Sequence, residues 1–166
     1  MEIAYDTWES SAQLLPKYIF SLFKYNPGTV VEWKHLRTNN EMSKTLNYLF
    51  WEFRPCVDGF RHCRKIISVD GTQLYTKYKH KMLIGITLDA NNQVLPLAFA
   101  IVDEKTTDSW KWFLESLGRH VVRGESVVCL ISDRHKRIVR ATADLPYFQP
   151  PHVFLVILPS STSDSD

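Results

Sequence analysis

The sequence is short of cysteine, of net charge and of long apolar runs, and each shortage excludes something. Three cysteines, Cys56, Cys63 and Cys129, leave an odd count and form no C-x-x-C pair. That fits neither a disulfide framework nor a four-cysteine zinc site, and a reducing compartment is the simpler reading. Cys56, His62 and Cys63 lie near one another, but their spacing matches no usual zinc pattern and a fourth ligand is lacking. With 20 Lys and Arg against 18 Asp and Glu the formal charge is only +2. This is too small to announce a nucleic-acid binder, although clustered basic residues would escape such a count. No stretch approaches the ~18 uninterrupted apolar residues of a membrane span, and the opening Met-Glu-Ile-Ala-Tyr-Asp does not read as a secretion signal. The expectation is a cytosolic or nuclear protein with no membrane partner and no small-molecule cofactor. No internal repeat is visible.

What is present suffices for one ordinary core, since 45% of the 166 residues are hydrophobic. Collagen, coiled coil and wholesale disorder are excluded. Residues 1–65 read as a helical N-terminal segment. Trp8, Ala12, Leu15, Ile19 and Leu22 recur at helical spacing, and Asn26-Pro27-Gly28 ends the run. A short extended piece covers 29–33. Met42, Leu46, Leu49, Phe50 and Phe53 again repeat with helical spacing until Pro55, which predicts a second helix over 41–53.

From Ile66 the pattern turns to strands, at 66–70, 82–88 and 94–102, the last two joined by the turn-forming Asp89-Ala90-Asn91-Asn92. Trp110, Phe113, Leu114, Leu117 and Val121 then mark one face of a helix that Thr107 or Asp108 is placed to cap, with Trp112 at the border of that face. Val127 to Ile131 reads as a strand buried on both faces. A short helix over 135–143, a strand-like run from His152 to Leu158 and a disordered polar tail over 159–166 complete the chain. The fold class is therefore α/β: a three-stranded meander, a helix, a buried parallel strand, a helix and a fifth strand. A right-handed crossover would set the fourth strand parallel to the first and beside it.

That adjacency carries the chemistry. Asp70 is expected to close the first strand and Asp133 the fourth, so that both carboxylates emerge at one sheet edge within reach of a shared divalent cation. Oxygen-only donors suit Mg²⁺ or Mn²⁺, and two such ions about 3.5–4 Å apart assist phosphodiester transfer. Each residue also has a bland reading, because Asp70-Gly71 is a common turn signal and Asp133 is well placed as a helix N-cap. His135 reads as a surface residue. Basic residues cluster as Arg61, Arg64 and Lys65; as Lys77, Lys79 and Lys81 around Tyr78; and as Arg134, Lys136, Arg137 and Arg140. Such runs contact phosphate or simply face solvent.

Four ordered stretches, Ile67 to Leu74, Leu88 to Ala100, Ser109 to Leu114 and Leu130 to Lys136, resemble the transposase domain of plant Mutator-like elements (MULEs). Asn26 to Val31 and Phe60 to Arg64 resemble the segment that precedes it, so the resemblance covers roughly residues 10–152. It implies an RNase H-like fold and metal-dependent DNA cleavage and strand transfer by two aspartates and a glutamate, with Mg²⁺ or Mn²⁺ as cofactor. Asp70 and Asp133 fall on the two aspartates, as catalytic and metal-binding residues. Lys77, Lys79, Lys81, Arg134 and Lys136 become candidate DNA contacts.

The glutamate has no counterpart: Asp144 is too close to Asp133, and Asp164 and Asp166 lie in the polar tail. Arg137 and Lys65 stand where the family often has Gly and Pro, and the sequence after His152 departs from the family pattern. The resemblance thus implies an incomplete RNase H-like fold from a truncated element, inactive alone. It would be nuclear, with element terminal repeats or a full-length transposase as partners. The alternatives are a non-catalytic DNA- or protein-binding remnant and a translated pseudogene product without a selected role.

Overall fold

A computed structural model describes residues 8–35, 46–74, 80–123, 128–133, 136–143, 145 and 153–157. Helix α1 (Trp8–Tyr25) is followed by strands β1 (Val30–His35) and β2 (Leu46–Glu52) and helix α2 (Arg54–Phe60). Strands β3 (Ile66–Gln73), β4 (Lys81–Leu88) and β5 (Val94–Val102) precede helix α3 (Thr107–Leu117), which runs on into a π-helical turn, Gly118–Val122. Strand β6 (Val128–Ser132), helix α4 (Lys136–Ala143) and strand β7 (Val153–Ile157) follow. All seven strands form one mixed sheet in the order β1-β2-β5-β4-β3-β6-β7.

The meander is as expected, with β3, β4 and β5 antiparallel in sequence. Its hairpin turn is held by Asp89, whose Oδ1 accepts from the backbone N–H groups of Asn91 and Gln93, each at 2.8 Å. Asn92 adopts the left-handed φ of 62° that such a turn requires. The crossover also follows the expectation, since β6 is parallel to β3 and beside it. Strand β7 adds parallel to β6.

Three expectations need correction. Residues 46–52 form a strand, not part of a helix over 41–53, and β2 pairs antiparallel with β5. The segment before residue 66 therefore contributes two strands to the same sheet as the meander. Asp70 does not close its strand: β3 continues to Gln73 opposite Lys81. The cap of α3 is neither Thr107 nor Asp108. Thr106 Oγ1 accepts from the Ser109 N–H at 3.1 Å and Ser109 Oγ accepts from the Thr106 N–H at 2.9 Å, a reciprocal pair that satisfies two otherwise unpaired donors. The polar tail over 159–166 lies outside the described residues.

The core lies between the sheet and α3. Its floor is a patch of small residues, Gly85, Ala98 and Ala100, flanked by Ile67, Leu83 and Leu130. A methyl group at Gly85 would stand 3.3 Å from Leu117 Cδ1, so the helix rests almost on the strand backbone. Trp110, Phe113, Leu114 and Leu117, all predicted for the apolar helix face, are buried here, and Ile138 and Ala141 of α4 extend the layer. Phe50 of β2 reaches the same layer, 6.1 Å from the Phe113 ring and 6.3 Å from Trp112. Trp112 is half-buried against Tyr48, as its border position implied. Among the described residues no helix is long and apolar enough to cross a membrane.

Candidate active site

The parallel register fixes how the two aspartates meet. Ile66, Ile67 and Ser68 of β3 lie opposite Cys129, Leu130 and Ile131 of β6. Two residues further along stand Asp70, still within β3, and Asp133, just past the end of β6, so extending the register places the two at the same level of neighbouring strands. Ile67, Val69, Leu130 and Ser132 alternate with them and are buried, whereas both aspartates are exposed. The burial of those neighbours is what anchors two solvent-facing carboxylates at one point of the sheet. Asp70 Oδ1 accepts from the Gly71 N–H at 2.6 Å, and the Asp133 carbonyl accepts from Ser132 Oγ at 3.0 Å.

A lysine that the sequence reading did not single out closes over this edge. Lys105 Nζ donates to the Gly71 carbonyl, and its stem crosses Gly71 so closely that a methyl there would stand 2.9 Å from Lys105 Cε and from Leu83 Cδ2. A side chain at Gly71 would have to displace the Lys105 stem and the Leu83 methyl beside Asp70. Arg137 of α4 donates to the Lys105 carbonyl and ties the loop before α3 to the helix after β6. Lys105 and Gly71 are 34 residues apart in sequence, so no local pattern could have paired them.

The predicted basic clusters fare unequally. Lys136 opens α4 and is exposed, three residues beyond Asp133, and Lys81 opens β4, half-buried opposite Gln73. Lys77, Lys79 and Arg134 lie outside the described residues. Arg61, Arg64 and Lys65 do not make one patch. Lys65 donates to the Phe60 carbonyl at 3.0 Å with its ammonium 4.6 Å from the Phe60 ring centroid, so it braces the end of α2. Arg64 borders an apolar groove with Ile66, Ile86 and Ile131, and Arg61 lines a different, polar groove. Cys63 Sγ donates to the Gly59 carbonyl at 3.3 Å, which occupies the thiol within its own helical turn.

Two exposed carboxylates on neighbouring strands supply the hard oxygen donors that Mg²⁺ and Mn²⁺ prefer. Among the described residues no group of three His, Cys, Asp or Glu side chains is gathered closely enough to hold an ion.

Comparison with known proteins decides the family. The family model described as MULE transposase domain matches residues 66–151, just over half of the chain. The chain belongs to the MULE transposase family. No curated protein and no solved structure matches it. The MULE match begins at the first residue of β3, spans the meander, α3, β6 and α4, and ends just before β7, so it contains both aspartates, Lys105 and Arg137. Strands β1 and β2, which share the sheet, precede it.

Proposed function

We propose that this chain is the catalytic portion of a MULE DNA transposase, an RNase H-like domain whose Asp70 and Asp133 hold Mg²⁺ or Mn²⁺ and whose substrate is DNA at element ends in the nucleus. The observation that supports this reading is the register of β3 and β6, which, extended by two residues, brings Asp70 and Asp133 to the same level of neighbouring strands within the MULE match. A divalent ion bound there supplies Lewis-acid stabilisation of a phosphoryl oxygen and activates a nucleophile. The protein's own part is positional. The parallel strands fix the carboxylates, the Asp70 Oδ1 contact with the Gly71 N–H limits rotation of that side chain, and Lys105 and Arg137 add positive charge where a scissile phosphate would approach. Lys136 and Lys81 extend that charge along the DNA, and Lys77, Lys79 and Arg134 remain candidate contacts by their place in the sequence.

Two carboxylates alone hold an ion loosely, because productive metal geometry needs its full ligand set. Strand cleavage therefore requires a third oxygen donor, and the chain by itself is catalytically weak. The test is a calorimetric Mn²⁺ titration of the folded chain beside Asp70→Asn and Asp133→Asn, with plasmid nicking scored in the same samples. Saturable binding lost in both variants is expected, with little nicking. Absence of binding in a chain shown to be folded overturns the assignment.

The cations around the aspartates favour one second reading, a non-catalytic DNA- or protein-binding remnant, since Lys105 and Arg137 attract phosphate without any metal. It predicts salt-sensitive DNA affinity that survives both Asp→Asn changes, whereas affinity dependent on both carboxylates and a metal excludes it.

A further inference from the structure

Strand β1 is the outermost strand of the sheet, and its outer edge has no partner among the described residues. Antiparallel pairing with β2 uses every second backbone N–H and C=O of the strand, so the others point outward unpaired. Such an edge is a template for another strand, and proteins usually cover or blunt it. Beside this edge the surface is also apolar. Helix α1 lies against β1, and between them opens a groove of about 310 Å³ lined by Pro16, Ile19, Phe20, Phe23, Val31 and Trp33. Among the described residues none of β2 lines it, so it opens along the outer edge of the sheet. Phe20 is 66%, Phe23 54% and Trp33 40% exposed. That is a contiguous aromatic patch, not the scattered single apolar residues of an ordinary monomer surface.

The side chains of β1 specify what fits this edge. Val31 and Trp33 face α1, whereas Glu32 and Lys34 face the α3 side. Glu32 accepts from Ser116 Oγ of α3 at 2.8 Å, and the Lys34 ammonium stands 5.1 Å from the centroid of the Tyr48 ring, which packs on Trp112 of α3. Residues directly opposed in an antiparallel pair share a face, so two copies of one strand can be centred only on a residue, never between two. Centring on Glu32 sets two carboxylates against each other, and centring on Lys34 sets two ammonium groups. Centring on Trp33 brings Glu32 of each copy opposite Lys34 of the other on one face, and the two Trp33 rings together on the other face. Only this register pairs the two charged residues with each other. The strand is thus complementary to itself, as a two-fold interface requires. Ser116 and His120 hold the Glu32 carboxylate on that face, and its oxygens keep lone pairs for an ammonium group.

We propose that β1 is a self-association edge: two copies of this chain pair their β1 strands antiparallel about Trp33 and continue the sheet across the interface. On the α1 side, Phe20 and Phe23 of both copies close over the Trp33 pair. On the α3 side, two Glu32/Lys34 pairs flank the two-fold axis. The occupant of the edge is a second copy because the charge pattern of the strand is matched by its own reverse. The register of β1 against β2 shifts at Lys34/His35, so the new ladder is short and the association is a reversible, micromolar one. Strand β3, which carries Asp70, lies four strand spacings from β1, roughly 19 Å, so the acidic edge stays open in the dimer.

Sedimentation velocity on the whole chain across micromolar concentrations tests this. A reversible rise from the 19.3 kDa monomer toward twice that mass is expected. Lys34→Glu, at an exposed position, opposes like charges on both sides of the two-fold axis and should weaken the dimer about tenfold, with a smaller loss at high salt. Trp33→Lys should abolish the dimer. Circular dichroism checks that each variant is folded, and if Trp33→Lys does not fold, Lys34→Glu decides alone. Mild oxidation reads the register. Trp33→Cys puts two thiols at the axis, where opposed α-carbons about 4.5–5.5 Å apart suit a disulfide, and it should cross-link quickly. The thiols of Val31→Cys lie about 13 Å apart along the strands and should not exceed the background of the three native cysteines. A chain that stays monomeric at every concentration overturns the proposal. So does a dimer that Lys34→Glu leaves unchanged, or one in which Val31→Cys cross-links as fast as Trp33→Cys.

Discussion

At the β3–β6 edge, each aspartate follows a contiguous strand run, and one helical crossover suffices to bring the two strands together. In the β1–β2 flank the groups that meet come from much further apart. Glu32 of β1 receives Ser116 Oγ at 2.8 Å and lies 2.7 Å from His120 Nε2 and 3.2 Å from Arg119, across 84 to 88 residues of sequence. The first region lies within the MULE match, whereas the strands of the second precede it and only α3 and the π-helical turn that face them are included. The contrast teaches that a family signature reports the local runs that build an acidic edge, while a neighbouring cluster built from distant pieces leaves no comparable trace.

The sharpest way to break the comparison is to ask whether the flank is a separate unit. Phe50 is fully buried beneath Phe113, Trp112 and His120, so β2 and α3 share one core. Phe50→Ala should cost about 3–5 kcal/mol, read as a lower midpoint in denaturant unfolding with a single transition seen by fluorescence and circular dichroism. Two separated transitions would show instead that residues before 66 fold apart from the meander.

Much of the β3–β7 half was legible because its elements are punctuated. A turn tetrapeptide separates β4 from β5, a five-residue apolar stripe marks α3, and each aspartate directly follows apolar strand residues. Strand β2 was misread for a physical reason. Leu49 faces the α1 side, opposite Trp33, while Phe50 faces α3, and both are fully buried. A strand covered on both faces loses its alternation, so Tyr48-Leu49-Phe50-Trp51 reads equally well as helix. Lys105, Arg137 and the cluster around Glu32 were not legible as groupings, since their partners are set by tertiary packing alone.

A smaller effect sharpens the comparison from the flank side. The Glu52 carboxyl moves from 4.5 to about 7 because burial penalises its charged form, a difference on the order of 3 kcal/mol. The folded protein holds this proton more tightly than the unfolded chain between those values. Stability attributable to Glu52 is therefore greatest below pH ~4.5, falls as pH rises to ~7 and is flat above it. Glu52→Gln removes the charge at constant shape and should raise the melting temperature at pH 8, with the gain vanishing by pH 4.5. An equal gain at both pH values would mean that burial of charge is not the cause. Asp70 and Asp133, exposed at the other edge, should give no such stabilisation when changed to Asn.

The smallest effect concerns how the flank is pinned. For Glu32 burial acts to raise the carboxyl pKa, but the hydrogen bonds from His120 and Ser116 and the charges of His120 and Arg119 outweigh it and leave a net lowering. The sign is then opposite to that of Glu52: the contribution is present above the unfolded value near 4.5 and is lost as pH falls through the lower folded value. Glu32→Gln keeps hydrogen-bonding capacity toward Ser116 and loses the charge-assisted part, so about 1–2 kcal/mol should go at pH 7, and the acid limb of the stability profile should shallow. In heteronuclear spectra the His120 and Ser116 signals should move while those of Asp70 and Gly71 stay in place. Movement at Asp70 would instead mean that the flank and the acidic edge are coupled through α3, and the two regions would have to be treated as one site.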